Sequence, residues 1–185
     1  MTRTICKWIL HWKGWTIGPA GEDVRKCVIC VAPHTSNMDF IIGHLYYGAI
    51  GRRAKFLMKK EWFFFPLNYL FKLMGGVPID RNKKTSMIEQ MTHEFARRKT
   101  FRLVVTPEGT RQRVKEWKKG FYYIALKAQV PIRLAYIDYK KKIVGFGDSF
   151  FPTGNAVNDI RDIRRFYRGV SGRYQDKFSD LELVK

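Results

Sequence analysis

Short apolar segments alternate with helical segments along most of this chain, and this alternation limits its possible folds more than any other feature. The unbroken run KCVICVA (residues 26–32) is typical of a strand buried on both faces of a sheet. Similar strand patterns occupy residues 54–60, 75–80, 101–106, 130–139 and 141–148. Strands that alternate with helices predict a single α/β domain with a largely parallel mixed sheet flanked by helices.

The helical segments differ in how they should pack. Residues 39–50 are apolar on most sides, which predicts a buried helix with His44 in the core. Ser86 and Glu89 form a capping box for a helix over residues 87–99, and further helices are predicted over residues 117–129 and 159–167. A short amphipathic helix at about residues 4–13 carries tryptophans and lysine, so it could anchor at a membrane interface or pack on the core.

Three polar loops follow predicted strands. They are PHTSNMD (residues 33–39), IDR (residues 79–81) and TPEGTR (residues 106–111). In open α/β sheets, active sites form in loops beyond the carboxyl ends of the parallel strands. The three loops are therefore the first places to look for chemistry.

His34 and Asp39 lie in the first of these loops, five positions apart. Residues five apart on one helix point about 140° away from each other, so they could not pair there. If His34 lies in the loop and Asp39 in the first helical turn, the carboxylate can orient the imidazole and make it a base. On spacing alone, a catalytic pair and a chance pair both stay open.

The other two loops carry arginines. Arg81 follows the GGVPID strand, and Arg111 ends the TPEGTR loop beside Thr110. A guanidinium group suits phosphate, and the amino end of a following helix would add positive potential. An anion site is one interpretation; a surface arginine in an ordinary turn is the other.

The net charge is +19, from 35 lysines and arginines against 16 acidic residues. Such a charge concerns partners rather than fold. It suits nucleic acid, an anionic membrane, or phosphorylated substrates and acidic carriers, and a merely solvated basic face also stays open.

The three cysteines predict neither disulfides nor a metal site. Cys27 and Cys30 form a CxxC within a strand, where residues three apart point to opposite faces. No zinc set, nucleophile elbow, P-loop or dinucleotide-binding turn occurs in the sequence. No segment has the length of uninterrupted apolar sequence that a spanning helix needs. A reduced, cytoplasmic-side protein without a transmembrane span is predicted.

Four blocks, in order, give the chain a specific resemblance. HTSNMD, GGVPIDR, TPEGTR and VPIRLAY, within about residues 30–137, resemble the blocks of the glycerolipid acyltransferases, which include the 1-acylglycerol-3-phosphate acyltransferases. The resemblance implies that residues 1–185 form one acyltransferase domain of glycerol-3-phosphate acyltransferase-like fold. It also makes His34 and Asp39 a catalytic dyad.

The resemblance further implies a substrate-phosphate site and a reaction. The residues that it assigns to the phosphate are Arg81, Glu108, Gly109, Thr110 and Arg111. A lysophospholipid or glycerol-phosphate hydroxyl would attack an acyl thioester of coenzyme A or acyl carrier protein, as in phospholipid biosynthesis. Neither a metal nor a separate cofactor is implied. An anionic membrane surface becomes an expected partner, with the protein peripheral on the cytoplasmic face of the inner or plasma membrane.

Three departures and two alternatives accompany the resemblance. Thr106 replaces the usual Phe before PEGTR, and the VPIRLA block lacks its second proline. Many relatives also have a helical membrane module before the HxxxxD block. A basic nucleic-acid-binding protein remains an alternative, although no nucleic acid is expected, and so does a membrane-binding protein without activity.

Overall fold

A sheet of seven strands forms the centre of the fold in the computed structural model, which describes residues 2–79 and 86–178. The strands in chain order are β1 (Thr16–Ile17), β2 (Lys26–Val31), β3 (Lys55–Lys59), β4 (Gly76–Ile79), β5 (Phe101–Val105), β6 (Ile132–Asp138) and β7 (Ile143–Phe150). Their order across the sheet is β1-β7-β6-β2-β5-β3-β4.

Five neighbouring strands of the sheet, from β6 to β4, are parallel. β7 pairs antiparallel with β6, and the short β1 runs parallel to β7. The predicted largely parallel mixed sheet is therefore confirmed. The carboxyl ends of β2, β5 and β6 lie side by side at one edge, with β2 in the middle, and this arrangement brings distant loops together.

Six helices accompany the strands within the described ranges. They are α1 (Arg3–Trp12), α2 (Met38–Ala49), α3 (Leu67–Met74), α4 (Met87–Arg97), α5 (Gly120–Ala128) and α6 (Ala156–Phe166). The predicted capping box is present, since Ser86 accepts from the Glu89 N–H and the Glu89 carboxylate accepts from the Ser86 N–H. α6 begins three residues earlier than predicted, because the Asn155 side chain caps it by accepting from Asn158 N–H.

Two apolar cores lie on opposite faces of the sheet. Val28 and Cys30 of β2 face the core formed with α4, α5 and α6. Cys27 and Ile29 face the core formed with α1 and α2. The alternation confirms that the two thiols of the CxxC point to opposite faces.

The helix α2 is buried on one side only, which corrects the prediction of a fully buried helix. Ile42, Tyr46 and Ala49 pack into the core. Phe40, by contrast, is exposed and stacks on the His44 ring, which is exposed too. The prediction of a core histidine at His44 was wrong, because a helix that covers one face of a sheet turns its opposite side outward.

The helix α1 packs on the core, one of the two arrangements that its sequence left open, and its anchoring at a membrane interface stays a prediction. Cys6 and Leu10 pack against the core beside α2. On its outer side the exposed apolar residues Ile5, Trp8 and Trp12 lie among exposed polar ones such as Lys7 and His11. Over residues 2–79 and 86–178, none of the helices has the length and apolar character needed to cross a membrane.

Candidate active site

His34 and Asp39 meet at the carboxyl end of β2. The distance from His34 Nδ1 to Asp39 Oδ2 is 3.0 Å. Asp39 lies in the first turn of α2 and His34 in the loop before it, as the five-residue spacing predicted. The fold-back of the loop thus brings together two side chains that a continuous helix would separate.

Backbone amides of the loop fix the Asp39 carboxylate. Its Oδ2 also accepts hydrogen bonds from the Thr35 N–H at 2.9 Å and the Ser36 N–H at 3.0 Å. Thr35, Ser36 and Asp39 are all buried. The short polar loop therefore wraps around the carboxylate, which in turn holds the His34 ring at the outer side of the loop.

This contact determines which nitrogen of His34 can act as a base. A carboxylate only accepts, so Nδ1 carries the proton and Nε2 presents its lone pair. Nε2 has no hydrogen-bond partner among the described residues, and 21% of the His34 side chain is exposed. The arrangement can take a proton from a hydroxyl that approaches Nε2.

Glu108 contacts the same loop from the neighbouring TPEGTR loop. It follows β5, the neighbour of β2, and its Oε1 accepts from the His34 N–H at 3.0 Å. The side chain is buried, and Oε2 has no partner within the described part of the chain. Burial raises the pKa of the Glu108 carboxyl above its usual range. The residue therefore ties the TPEGTR loop to the backbone of the base.

Gly109, Thr110 and Arg111 lie at the surface beyond Glu108. Gly109 has φ +64°, and a Cβ there would lie 2.8 Å from Cδ of Lys118. An Arg111 Nη1–H donates to Asn37 Oδ1, which places this guanidinium group beside the amino end of α2. Arg111 is thus brought to the loop of His34 and Asp39, as an anion site near the base requires.

Arg81 lies outside the described residues, so its predicted place in the site stays a prediction. No cluster of three or more histidine, cysteine or acidic side chains that could hold a metal occurs in residues 2–79 and 86–178.

Several contacts of the site involve residues outside the sequence motifs and were not predicted. The Tyr139 hydroxyl, just beyond β6, donates to Asp39 Oδ1 at 2.6 Å. The Thr35 hydroxyl accepts from the Tyr174 N–H at 3.3 Å, and Gly172 lies against Thr35 so closely that a Cβ would be 2.9 Å from it. Tyr139 could have been found by asking which residues follow the strand next to β2.

A family model described as Acyltransferase matches residues 20–137, well over half of the chain. The match contains His34, Asp39 and the loop of residues 106–111. The chain belongs to the acyltransferase family. Its resemblance to the glycerolipid acyltransferases is confirmed.

Curated relatives of this family member carry one kind of name. This chain is 31% identical over 119 residues to a 1-acyl-sn-glycerol-3-phosphate acyltransferase of Limnanthes alba, and the match covers 60% of this chain and 41% of that one. The protein of the same name from Cocos nucifera is 32% identical over 139 residues, covering 71% and 43%. A human 1-acyl-sn-glycerol-3-phosphate acyltransferase beta is 27% identical over 145 residues, covering 75% and 51%. The matched parts thus span about half of these relatives or less.

Among solved structures, the family member is similar to the 1-acyl-sn-glycerophosphate acyltransferase PlsC of Thermotoga maritima. The TM-score is 0.65 at 18% identity, and the superposition covers 93% of this chain and 79% of that one. The likeness confirms the predicted acyltransferase-like α/β fold.

Proposed function

We propose that this protein transfers a fatty acyl group from a thioester to a hydroxyl of a phosphate-bearing lysolipid, with lysophosphatidic acid as the first candidate acceptor. The observation that carries the proposal is the 3.0 Å contact between His34 Nδ1 and Asp39 Oδ2, which leaves Nε2 to face a substrate. The names of the curated relatives support this choice of acceptor.

The chemistry needs one base and no covalent enzyme intermediate. His34 Nε2 takes the proton of the acceptor hydroxyl while the oxygen attacks the thioester carbonyl carbon. The tetrahedral intermediate collapses, the carbon–sulfur bond breaks, and an ester forms. The imidazolium, stabilised by Asp39, returns the proton to the leaving thiolate. No metal or separate cofactor enters these proposed steps.

The acceptor's phosphate would bind beside the TPEGTR loop. Thr110 and Arg111 are exposed there and offer a hydroxyl and a guanidinium group, and Arg81 is assigned to the same phosphate by its motif. Glu108 is buried and carries a carboxyl group, so we assign it to holding the His34 loop rather than to direct contact with an anion. Gly109 forms the turn between Glu108, which holds the loop, and Thr110 and Arg111, which would bind the phosphate.

The donor would be acyl-CoA or acyl carrier protein. Both carry many negative charges, and a chain of net charge +19 attracts either one. The charge therefore supports the class of donor without selecting between the two.

We further propose that the enzyme works as a peripheral protein on an anionic membrane at the cytoplasmic face. The segment that follows β3 exposes many apolar side chains: Phe64, Phe65, Tyr69, Leu70 and Leu73. β3 is parallel to β2, so this segment starts at the edge that holds His34. Phe40 of α2, the residue after Asp39, is exposed and contacts Phe56 of β3, the strand that leads into this segment, with ring centroids 4.8 Å apart. Such a surface suits lipid better than water.

The function is tested by offering the purified protein pooled acyl-CoA and acyl carrier protein thioesters with a panel of lysolipids and glycerol 3-phosphate. Mass spectrometry should detect an acylated phospholipid, and a chelator should leave the rate unchanged. His34→Ala should abolish the product, whereas His93→Ala, at an exposed position of α4, should retain the wild-type rate. An unchanged rate in His34→Ala would overturn the mechanism. Absence of any product, with tight nucleic-acid binding that survives His34→Ala, would favour the basic binding protein instead.

Membrane docking is tested by co-sedimentation with vesicles of phosphatidylcholine and phosphatidylglycerol. Phe65→Ser with Leu73→Ser should release the protein from the vesicles, because both side chains are exposed on the aromatic segment. Phe151→Ser is the control, since this exposed aromatic follows β7 and lies at the opposite edge of the sheet. Equal loss of binding in both variants, or in neither, would contradict the assignment of this surface.

A further inference from the structure

Asp39 has a partner besides His34 and the loop amides. The Tyr139 hydroxyl donates to Oδ1 at 2.6 Å, while Oδ2 receives the His34 ring and the two loop N–H groups. The two carboxylate oxygens are thus divided between the loop on one side and Tyr139 on the other. A single donor on Oδ1 limits rotation of the carboxylate about its Cβ–Cγ bond.

Tyr139 is itself held in place. Its N–H donates to the Ser171 carbonyl at 2.8 Å. Its ring meets the Trp15 ring edge-on, with centroids 5.1 Å apart and an angle of 86° between the planes. Trp15 is buried close behind α1. The hydroxyl is therefore presented to Asp39 by a side chain that is fixed at both its backbone and its ring.

We propose that Tyr139 is a positioning residue that holds the Asp39 carboxylate against His34 and sets the proton affinity of the His34 ring. The proposal rests on the proposed function, in which His34 is the base. A hydrogen bond donated to Oδ1 draws negative charge away from Oδ2. It thereby weakens the pull of the carboxylate on the proton that His34 Nδ1 shares with it.

Tyr139 stays a donor over the pH range in which the enzyme would work. Burial and the hydrogen bond to Asp39 raise the pKa of the Tyr139 phenol well above its usual range. The other titratable or charged groups facing the dyad are few among the described residues. They are Glu108 below His34, Arg173 near Ser36, Tyr174 beside Thr35 and Arg111 at Asn37.

The test is Tyr139→Phe, which removes the hydroxyl and keeps the ring against Trp15. We expect kcat/KM to fall about tenfold, the equivalent of one lost hydrogen bond to a charged group. We also expect the acidic limb of its pH profile to move to higher pH, because the carboxylate then holds the His34 proton more strongly. The pH titration of the His34 ring, followed by NMR in the absence of substrates, should move in the same direction.

Tyr122→Phe is the matched control. The Tyr122 hydroxyl donates to a different carboxylate, Asp159 Oδ2, at 2.7 Å, and this pair is buried beside α5 and α6. The same hydroxyl accepts from the Gly154 N–H at 3.0 Å, so its removal should lower the melting temperature at least as much as Tyr139→Phe does and leave both the pH profile and the His34 titration unchanged.

The outcomes separate the two proposals. An acidic limb and a His34 titration that stay in place, or that move to lower pH, in Tyr139→Phe would overturn the role of Tyr139, whatever happens to kcat. If the wild-type protein makes no acylated product, the proposed function fails. The NMR titration would then still show whether Tyr139 controls the proton affinity of His34.

Discussion

Replacement of Asp39 by alanine would remove four hydrogen bonds from the centre of the site. The carboxylate accepts from the His34 ring, the Thr35 and Ser36 amides and the Tyr139 hydroxyl, at distances of 2.6 to 3.0 Å. In Asp39→Ala, two backbone N–H groups of buried residues and one phenol lose their acceptor. The loop is then expected to lose stability as well as activity.

The size of the effect follows from the number of donors. A buried donor left without a partner costs about 1–3 kcal/mol. Water can reach part of this site beside the exposed edge of the His34 ring, so we expect the low end for each of the three groups. Loss of an acidic residue from the first turn of α2 adds about 0.3–1 kcal/mol. Together, Asp39→Ala should lower the free energy of unfolding by about 3–5 kcal/mol.

Asp39→Asn separates stability from catalysis. An amide oxygen at the Oδ2 position can still accept from the Thr35 and Ser36 amides, so the expected loss is about 1–2 kcal/mol. The negative charge that stabilises a protonated His34 is lost in both variants, and kcat/KM should fall by about 10²–10⁴ in each.

Urea denaturation, followed by tryptophan fluorescence, measures the first quantity, and the acylation assay measures the second. If Asp39→Ala and Asp39→Asn lost equal stability, the loop amides would not depend on the carboxylate. Wild-type kcat/KM in Asp39→Asn would refute the claim that the charge supports His34 as a base.

Three further predictions concern the supports of the loop. Burial raises the pKa of Glu108, so the folded state binds its proton more tightly than the unfolded state, and this group lowers stability as pH rises from the usual carboxyl range to the raised pKa. Glu108→Gln should remove that decline. In urea titrations at several pH values, the free energy of unfolding of the variant should therefore rise relative to that of the wild type across this window. An equal pH dependence in the two proteins would contradict the prediction. Gly172→Ala brings a Cβ within 2.9 Å of the Thr35 side chain, so it should lower the free energy of unfolding by about 1–3 kcal/mol and also lower kcat/KM. A wild-type melting temperature would show that the Thr35 side chain can move away without cost. Tyr167→Phe removes a buried hydrogen bond of 2.7 Å to the Cys30 carbonyl and should cost about 0.5–1.5 kcal/mol in the same urea assay, with no loss expected if water replaces the hydroxyl.

The sequence was sufficient for the fold class and for placing His34 in a loop with Asp39 on the helix that follows. Buried strands such as β2 are short unbroken apolar runs, so their positions and the largely parallel sheet could be predicted. The five-residue spacing of His34 and Asp39 indicated a loop-and-helix arrangement, because a continuous helix would keep them apart. The order of the four blocks then indicated the family.

The rest depends on tertiary contacts that leave no local pattern. Tyr139 reaches Asp39 only because β6 lies beside β2, and the order of strands across a sheet is not written in any one segment. The contacts of Gly172 and Tyr174 with Thr35 come from the chain after α6, whose path over the loop has no sequence signal. The outward side of α2 was missed because its apolar residues, including the exposed Phe40 and Ile41, resemble those of a core helix.

The three buried cysteines can serve as probes of partial unfolding, because they lie on different faces of the sheet. Cys6 of α1 and Cys27 of β2 lie in the core between the sheet and the helices α1 and α2, whereas Cys30 lies in the core under α4, α5 and α6, and all three are buried. Burial also raises the pKa of Cys27 to about 11, which further protects it from alkylation. A pulse of thiol reagent in mild denaturant would therefore mark one face of the sheet or the other, according to which helical layer detaches first. Mass spectrometry of the labelled peptides would then tell whether the side of the sheet that carries Asp39 unfolds as an independent unit.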